Sequence, residues 1–385
     1  MARKKLNNLN KNNNKAQDIF TRIKSLEASG INIINLAFGA PGFETPKSIR
    51  ASTQEALKSG QNPVIPLEGS HELRMEICDY IDRTREFRPK LEQILISPSV
   101  KSMVFTSLLM ICNRGDEIIL SDPGKPSYAR LAELLGMKVK YMLHSQKKGF
   151  KIDLDELEEI ITKKTKALIL TTPHNPTGNV LTNPEVQRIS ELAEKNNLHI
   201  ISDETYNQII FKGRHISPAN IDRAQQDTIL LESLSYTFNM AGWGLAFSLA
   251  SKKNTSTLRS IMADMLPTVP GFIQHAGIEA LQNADSIVPG IIDNYKKCCS
   301  SLVTGLNQLP GFKCQQPMGG IHAFPNISGT KKTSTKIAEF LLENAGIAVL
   351  PGEIFGPHGK NHIRISFATL KENIDEGLMR LDEIF

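Results

Sequence analysis

Three short runs of β-branched and aliphatic residues constrain this chain most: KALILTT (Lys166 to Thr172), LHIISDE (Leu198 to Glu204) and TILLESLS (Thr228 to Ser235). Amphipathic helical stretches such as TNPEVQRISELAEKNN separate such runs, and strand alternating with helix predicts a mostly parallel α/β sheet covered on both faces. The runs are apolar nearly throughout, as strands buried on both sides must be. Ligands of such sheets bind beyond the carboxyl ends of the strands, so the residues that close each run are where chemistry is expected.

At 385 residues, 40% of them apolar and 22% charged, the chain has the length for two domains and the composition of a globular protein. The net charge of +5 comes largely from an Asn/Lys-rich opening arm, MARKKLNNLNKNNNK. It is expected to be a solvated tail, partly disordered or laid over a partner subunit, and not a nucleic-acid contact, since no basic stripe interleaved with aromatics follows it. No apolar run has the length of a membrane span and no secretory signal opens the chain, which predicts a cytoplasmic location with no membrane partner. Cys78, Cys112, Cys298, Cys299 and Cys314 are odd in number and lack metal-ligand spacing; reduced packing thiols and no metal are expected.

Past about Leu281 the rhythm changes to one long helical segment, SIVPGIIDNYKKCCSSLVTGLNQL, followed by GGIHAFPNI, STKIAEFLLENAG, IAVLPG and HIRISFA. The expected domains are an N-terminal arm (1–46) packing with the small domain or a partner, a large α/β domain (47–282) and a small α+β domain (283–385).

Among the strand ends, TTPHNPTGNVL sets Asn175 in a loop stiffened by prolines and a glycine, where its amide can donate to a ligand oxygen. ISDETYNQIIF ends its strand on Asp203, with Tyr206 three residues on. A carboxylate there can hold a protonated ring nitrogen; a lone aspartate at a strand end also serves as a helix cap.

Together with LAFGAPGFETP, EGSHELR, DEIILSDPGKPSY, PGEIFGPHG and HIRISFAT, these two motifs make seven in register. From about Asn35 to the C-terminus the chain resembles the fold type I pyridoxal-phosphate enzymes, specifically the class I/II aminotransferases. The resemblance implies that fold, a homodimer, a small carboxylate substrate and pyridoxal phosphate as cofactor. It makes Asn175 and Tyr206 the partners of the cofactor's phenolic oxygen and Asp203 the partner of its ring nitrogen. Arg364 becomes the fork that grips the substrate α-carboxylate, and Gly39 the backbone position beside it.

The cofactor half departs from the pattern. The family's S-x-S-K segment reads SLSY, so Ser233 is kept but Tyr236 stands in place of the imine-forming lysine. G-W-R reads GWG, with Gly244 for the phosphate-binding arginine; Val64 replaces a tyrosine that reaches the partner's phosphate; Lys125 replaces the aromatic that stacks on the ring. In SPSVKSM, Ser99, Lys101 and Ser102 are the groups left to bind an anion. Tyrosine forms no imine, and a phenol of ordinary pKa about 10 is a poor base at neutral pH. Four departures in separate segments facing one ligand read as natural repurposing, and they count against cofactor binding.

Three readings follow. The first is a small-molecule enzyme, biosynthetic in role, with no lysine-bound cofactor and with Tyr236, Lys125, His174 or His322 as acid/base candidates. The second keeps pyridoxal or pyridoxamine phosphate, held noncovalently or on a relocated amine, Lys125. The third is a non-catalytic binding subunit.

Overall fold

The computed structural model describes residues 18–39, 42–60, 64–222 and 226–385; the Asn/Lys-rich arm lies outside them. A two-residue strand, β1 (Ile34–Asn35), belongs with the C-terminal part of the molecule. Eight strands then form the large sheet: β2 (Ile94–Ser97), β3 (Glu117–Asp122), β4 (Lys138–Ser145), β5 (Lys151–Ile152), β6 (Thr165–Thr171), β7 (His199–Asp203), β8 (Thr228–Ser233) and β9 (Ala246–Leu249). Their spatial order is β2-β9-β8-β7-β6-β3-β4-β5. Contacts from β4 through β3, β6 and β7 to β8 are parallel. Those of β5, β9 and β2 are antiparallel, and β2 and β5 are the two edges.

The strands form where the apolar runs stand. Every residue of β7 from Ile200 to Asp203 and all six of β8 are buried, and each fully buried Ile or Leu side chain contributes about 1.5–3 kcal/mol. The helix Asn183–Asn196 crosses from β6 to β7. Thr182 and Glu185 cap it reciprocally, with the Thr182 amide donating to Glu185 Oε2 at 2.7 Å, and Asn197 ends it at φ 52°. Its Val186, Ile189 and Leu192 are fully buried and join one core cluster with Leu168, Leu170 and Ile200 of the sheet.

The chain runs from β3 outward to β4, then returns to the other side of β3 with β6, β7 and β8. The order therefore reverses between β3 and β6, and a crevice opens at the carboxyl ends there.

The helix Ala284–Gln308 follows the last helix of the large unit and covers a second core, built on Tyr295, Leu302, Ile337, Leu341, Ile363 and Ile365. Over that core lie β10 (His322–Ala323), β11 (Ile347–Ala348), β12 (Leu350–Pro351) and β13 (Ile363–Ser366). β13 is the centre of an antiparallel trio with β10 and β12, while β11 pairs in parallel with β1. The two-residue period of β13 sends Ile363 and Ile365 into the core and Arg364 to the opposite face.

Candidate functional site

The crevice at the switch point is a cleft of about 480 Å3. Most of the site residues expected from the sequence line it: Ser99 and Lys101 after β2, Lys125 after β3, Asn175 after β6, Tyr206 after β7, Ser233 and Tyr236 at and after β8, and Arg364 on β13. Asp203 lies at its floor, fully buried. Gly39 sits one residue past Phe38, which lines the wall. A Cβ on Gly39 would lie 2.7 Å from Ile321 Cδ1, so this segment comes close to the residue that precedes β10.

The floor is a tight ionic cluster. Lys125 Nζ pairs with Asp203 Oδ2, and Tyr128 Oη donates to the same oxygen at 2.6 Å. Thr205 donates to Oδ1 through its hydroxyl at 2.5 Å and its amide at 3.2 Å. Burial alone disfavours both charges, but mutual attraction and these hydrogen bonds outweigh it. The Lys125 ammonium is held above the usual lysine range and the Asp203 carboxyl below the usual carboxylate range. Pro126 starts the helix Pro126–Leu135 immediately after Lys125, and its first turn brings Tyr128 back onto the same carboxylate. Sequence reasoning missed Tyr128 and Thr205; the KPSY spacing at a helix start was the signal for the first.

The opposite wall is the arginine. Arg364 is 9% exposed; it donates through Nη2 to Ala37 O at 2.7 Å and through Nη1 to Asn175 Oδ1 at 3.3 Å, and its guanidinium carbon lies 4.9 Å from the Phe355 ring centre. Its Nε is buried without a partner. Burial lowers its pKa to about 10, opposed by Tyr206 and Tyr236, so it stays charged at neutral pH. The Asn175 amide donates in turn to Tyr206 Oη at 3.4 Å. Tyr206 and Tyr236 pack with ring centres 5.1 Å apart, which makes Tyr236 part of an aromatic wall.

The remaining expectations fare differently. Ser99 caps the helix Val100–Ile111, accepting from the Ser102 amide at 3.1 Å, and the Ser102 hydroxyl lies 2.9 Å from Ser97 Oγ and 3.0 Å from Ser99 Oγ. Ser233 caps the short helix Leu234–Thr237 and lies 2.7 Å from Ser235 Oγ. These hydroxyls are engaged with one another, and Lys101 is exposed at the mouth. Neither His174 nor His322 lines the cleft, which corrects their place among the acid/base candidates. His174 stacks on His144 at 4.0 Å and is bonded to Thr177, while His322 meets the Tyr206 ring edge-on. Burial pushes both well below the usual histidine range, so each is neutral. Gly244 is at φ +70°, a left-handed conformation that favours glycine over any side chain. Among the described residues no His/Cys/Asp/Glu group is arranged to hold a metal, and no helix is long and apolar enough to cross a membrane.

Known proteins align with nearly the whole of this architecture. The chain is 34% identical to an aspartate aminotransferase of Pyrococcus horikoshii, over 96% of this chain and 94% of that one. It is 31% identical to aromatic-amino-acid aminotransferase 2 of Thermococcus litoralis, over 93% of each. Among solved structures, the Thermus thermophilus aspartate aminotransferase with maleate superposes with a TM-score of 0.91 at 27% identity, covering 96% of both chains. The pattern of the aminotransferase class I and II family matches residues 31–381. On fold and sequence alike, this chain belongs to the class I and II aminotransferase family.

Proposed function

We propose that the protein is a small-molecule enzyme of biosynthetic type that binds an amino-acid-like or other α-carboxylate ligand at Arg364 and works without a lysine-bound pyridoxal imine. Members of the family normally use pyridoxal phosphate, and the residues present do not fit that group. By the family resemblance Tyr236 stands in place of the imine lysine and Gly244 in place of the phosphate-binding arginine, and both line the cleft. Loss of that charged contact alone is worth roughly 1.5–3 kcal/mol. Lys125 is no substitute amine, because its ion pair with Asp203 keeps it protonated and an ammonium has no lone pair to attack a carbonyl.

The carboxylate half does fit a ligand, and the observation that carries the proposal is the buried, unpartnered Nε of Arg364 beside Asn175. A buried donor without an acceptor is costly, and a carboxylate accepting from the planar edge would satisfy it. Tyr236 and Tyr206 both line the cleft with their rings 5.1 Å apart, which supports a role for a phenol in polarising or protonating the bound molecule.

Calorimetric titration with a panel of amino acids, 2-oxo acids and dicarboxylates tests this. At least one should bind the wild type, and Arg364→Ala should weaken it by about 10- to 150-fold, the equivalent of one charged hydrogen bond. Equal affinity in the variant contradicts the carboxylate site.

A further inference from the structure

We infer that Lys125 is a built-in cation that occupies the position at Asp203 which a pyridine nitrogen would take, making it the residue that closes this cleft to pyridine cofactors. The inference rests on the proposed function and goes beyond it. Loss of the imine lysine and the phosphate arginine weakens cofactor binding, whereas Lys125 acts against the ring itself.

The argument is one of lone pairs and charge. Asp203 is 0% exposed, and its oxygens already receive four donors: Lys125 Nζ and Tyr128 Oη on Oδ2, the Thr205 hydroxyl and amide on Oδ1. Lys125 lines the cleft while its ammonium reaches the floor, with a side chain 18% exposed and Nζ 5.8 Å from the Tyr206 ring centre. The ammonium is therefore interposed between the carboxylate and any ring entering from the cleft. A pyridinium N–H could reach Asp203 only by displacing Nζ, which would strand an ammonium in a buried site beside a second cation. The ion pair also solves a problem of stability, since an Asp203 without a cation would be an uncompensated buried charge. Lys125 thus satisfies the floor from within the chain, and the ligand that the cleft admits is one without a basic ring nitrogen.

Pyridoxine 5′-phosphate is the probe for the test, because its alcohol forms no imine and it reads ring binding alone. Its affinity for the full-length protein should be weak in the wild type and in Lys125→Arg, which keeps the cation. Lys125→Ala should tighten it by about tenfold or more, and adding Asp203→Asn to Lys125→Ala should reverse the gain. Binding by Lys125→Ala no tighter than by the wild type overturns the inference, with the proposed function untouched. A measurement on the wild type covers the case in which Lys125→Ala does not fold. In competitive acetylation read by mass spectrometry, Lys125 should react about tenfold or more slowly than exposed Lys101, the protection expected of a buried ion pair, and saturating probe should not speed it. Labelling as fast as at Lys101, or release of Lys125 by the probe, overturns it.

Discussion

Asp203 is a buried carboxylate held by an ammonium and three further donors, and its consequences are measurable. Its folded pKa lies below the ordinary value, so the stability it supplies is fully present above about pH 4 and is lost as pH falls through the folded pKa. Asp203→Asn leaves Lys125 as an unpaired buried charge, a change of about 3–5 kcal/mol when one partner of such a pair is removed. Urea unfolding should show that loss at pH 7 and a narrowing gap between variant and wild type below about pH 4, where the carboxylate protonates first in the unfolded chain and at lower pH in the folded one. A gap that is independent of pH contradicts the ion pair. Which residues meet in the cleft was legible in the sequence, because Asn175, Asp203, Tyr206, Ser233, Tyr236 and Arg364 sit in motifs tied to strand ends. Which atom Lys125 meets was not. The family pattern puts an aromatic at that position against a ring face, whereas a flexible ammonium goes to the nearest buried anion, and sequence spacing does not encode that choice.

At the scale of elements, the same strand end does two jobs. Asp203 faces the cleft, and the next residue, Glu204, lies on the other side of the backbone in a buried cluster with Arg85, His215, Ser202 and Ser217. Arg85 closes the helix His71–Arg85 and also pairs with Glu232 of β8 at 2.6 Å. This guanidinium bolts a helix to the two strands that carry Asp203 and Ser233. Burial disfavours the Glu204 charge, yet Arg85 and His215 draw its pKa below the usual carboxylate range. Arg85→Leu should cost about 3–5 kcal/mol by taking the guanidinium from two buried carboxylates, Glu204 and Glu232, of which Glu204 keeps only His215 beside it, measured as a fall in unfolding free energy at pH 7. A loss under about 1 kcal/mol contradicts the bolt. A milder change, Thr182→Ala, removes the capping box before β7 and should cost about 1 kcal/mol in the same assay. Periodicity predicted the helix between β6 and β7 to within a residue at each end, because Thr182, Glu185 and Asn197 mark its boundaries in local chemistry. The antiparallel strands β2, β5 and β9 carry no such marks; their direction is decided by tertiary pairing.

The whole molecule has the fold of the class I and II aminotransferases, and on the proposed reading one half of its site keeps the family pattern while the other half departs from it. The homodimer implied by the family resemblance stands as a proposal. Light scattering after gel filtration should give twice the 42.7 kDa of one chain; a single-chain mass contradicts the dimer. The most direct test of the central claim is reduction with borohydride. The purified protein is mixed with pyridoxal phosphate, reduced, and its intact mass and tryptic peptides are read by mass spectrometry. The account predicts no site-specific adduct in the wild type, with the Tyr236 and Lys125 peptides unmodified. A stoichiometric adduct on Lys125, or on any other single lysine of the cleft, contradicts it.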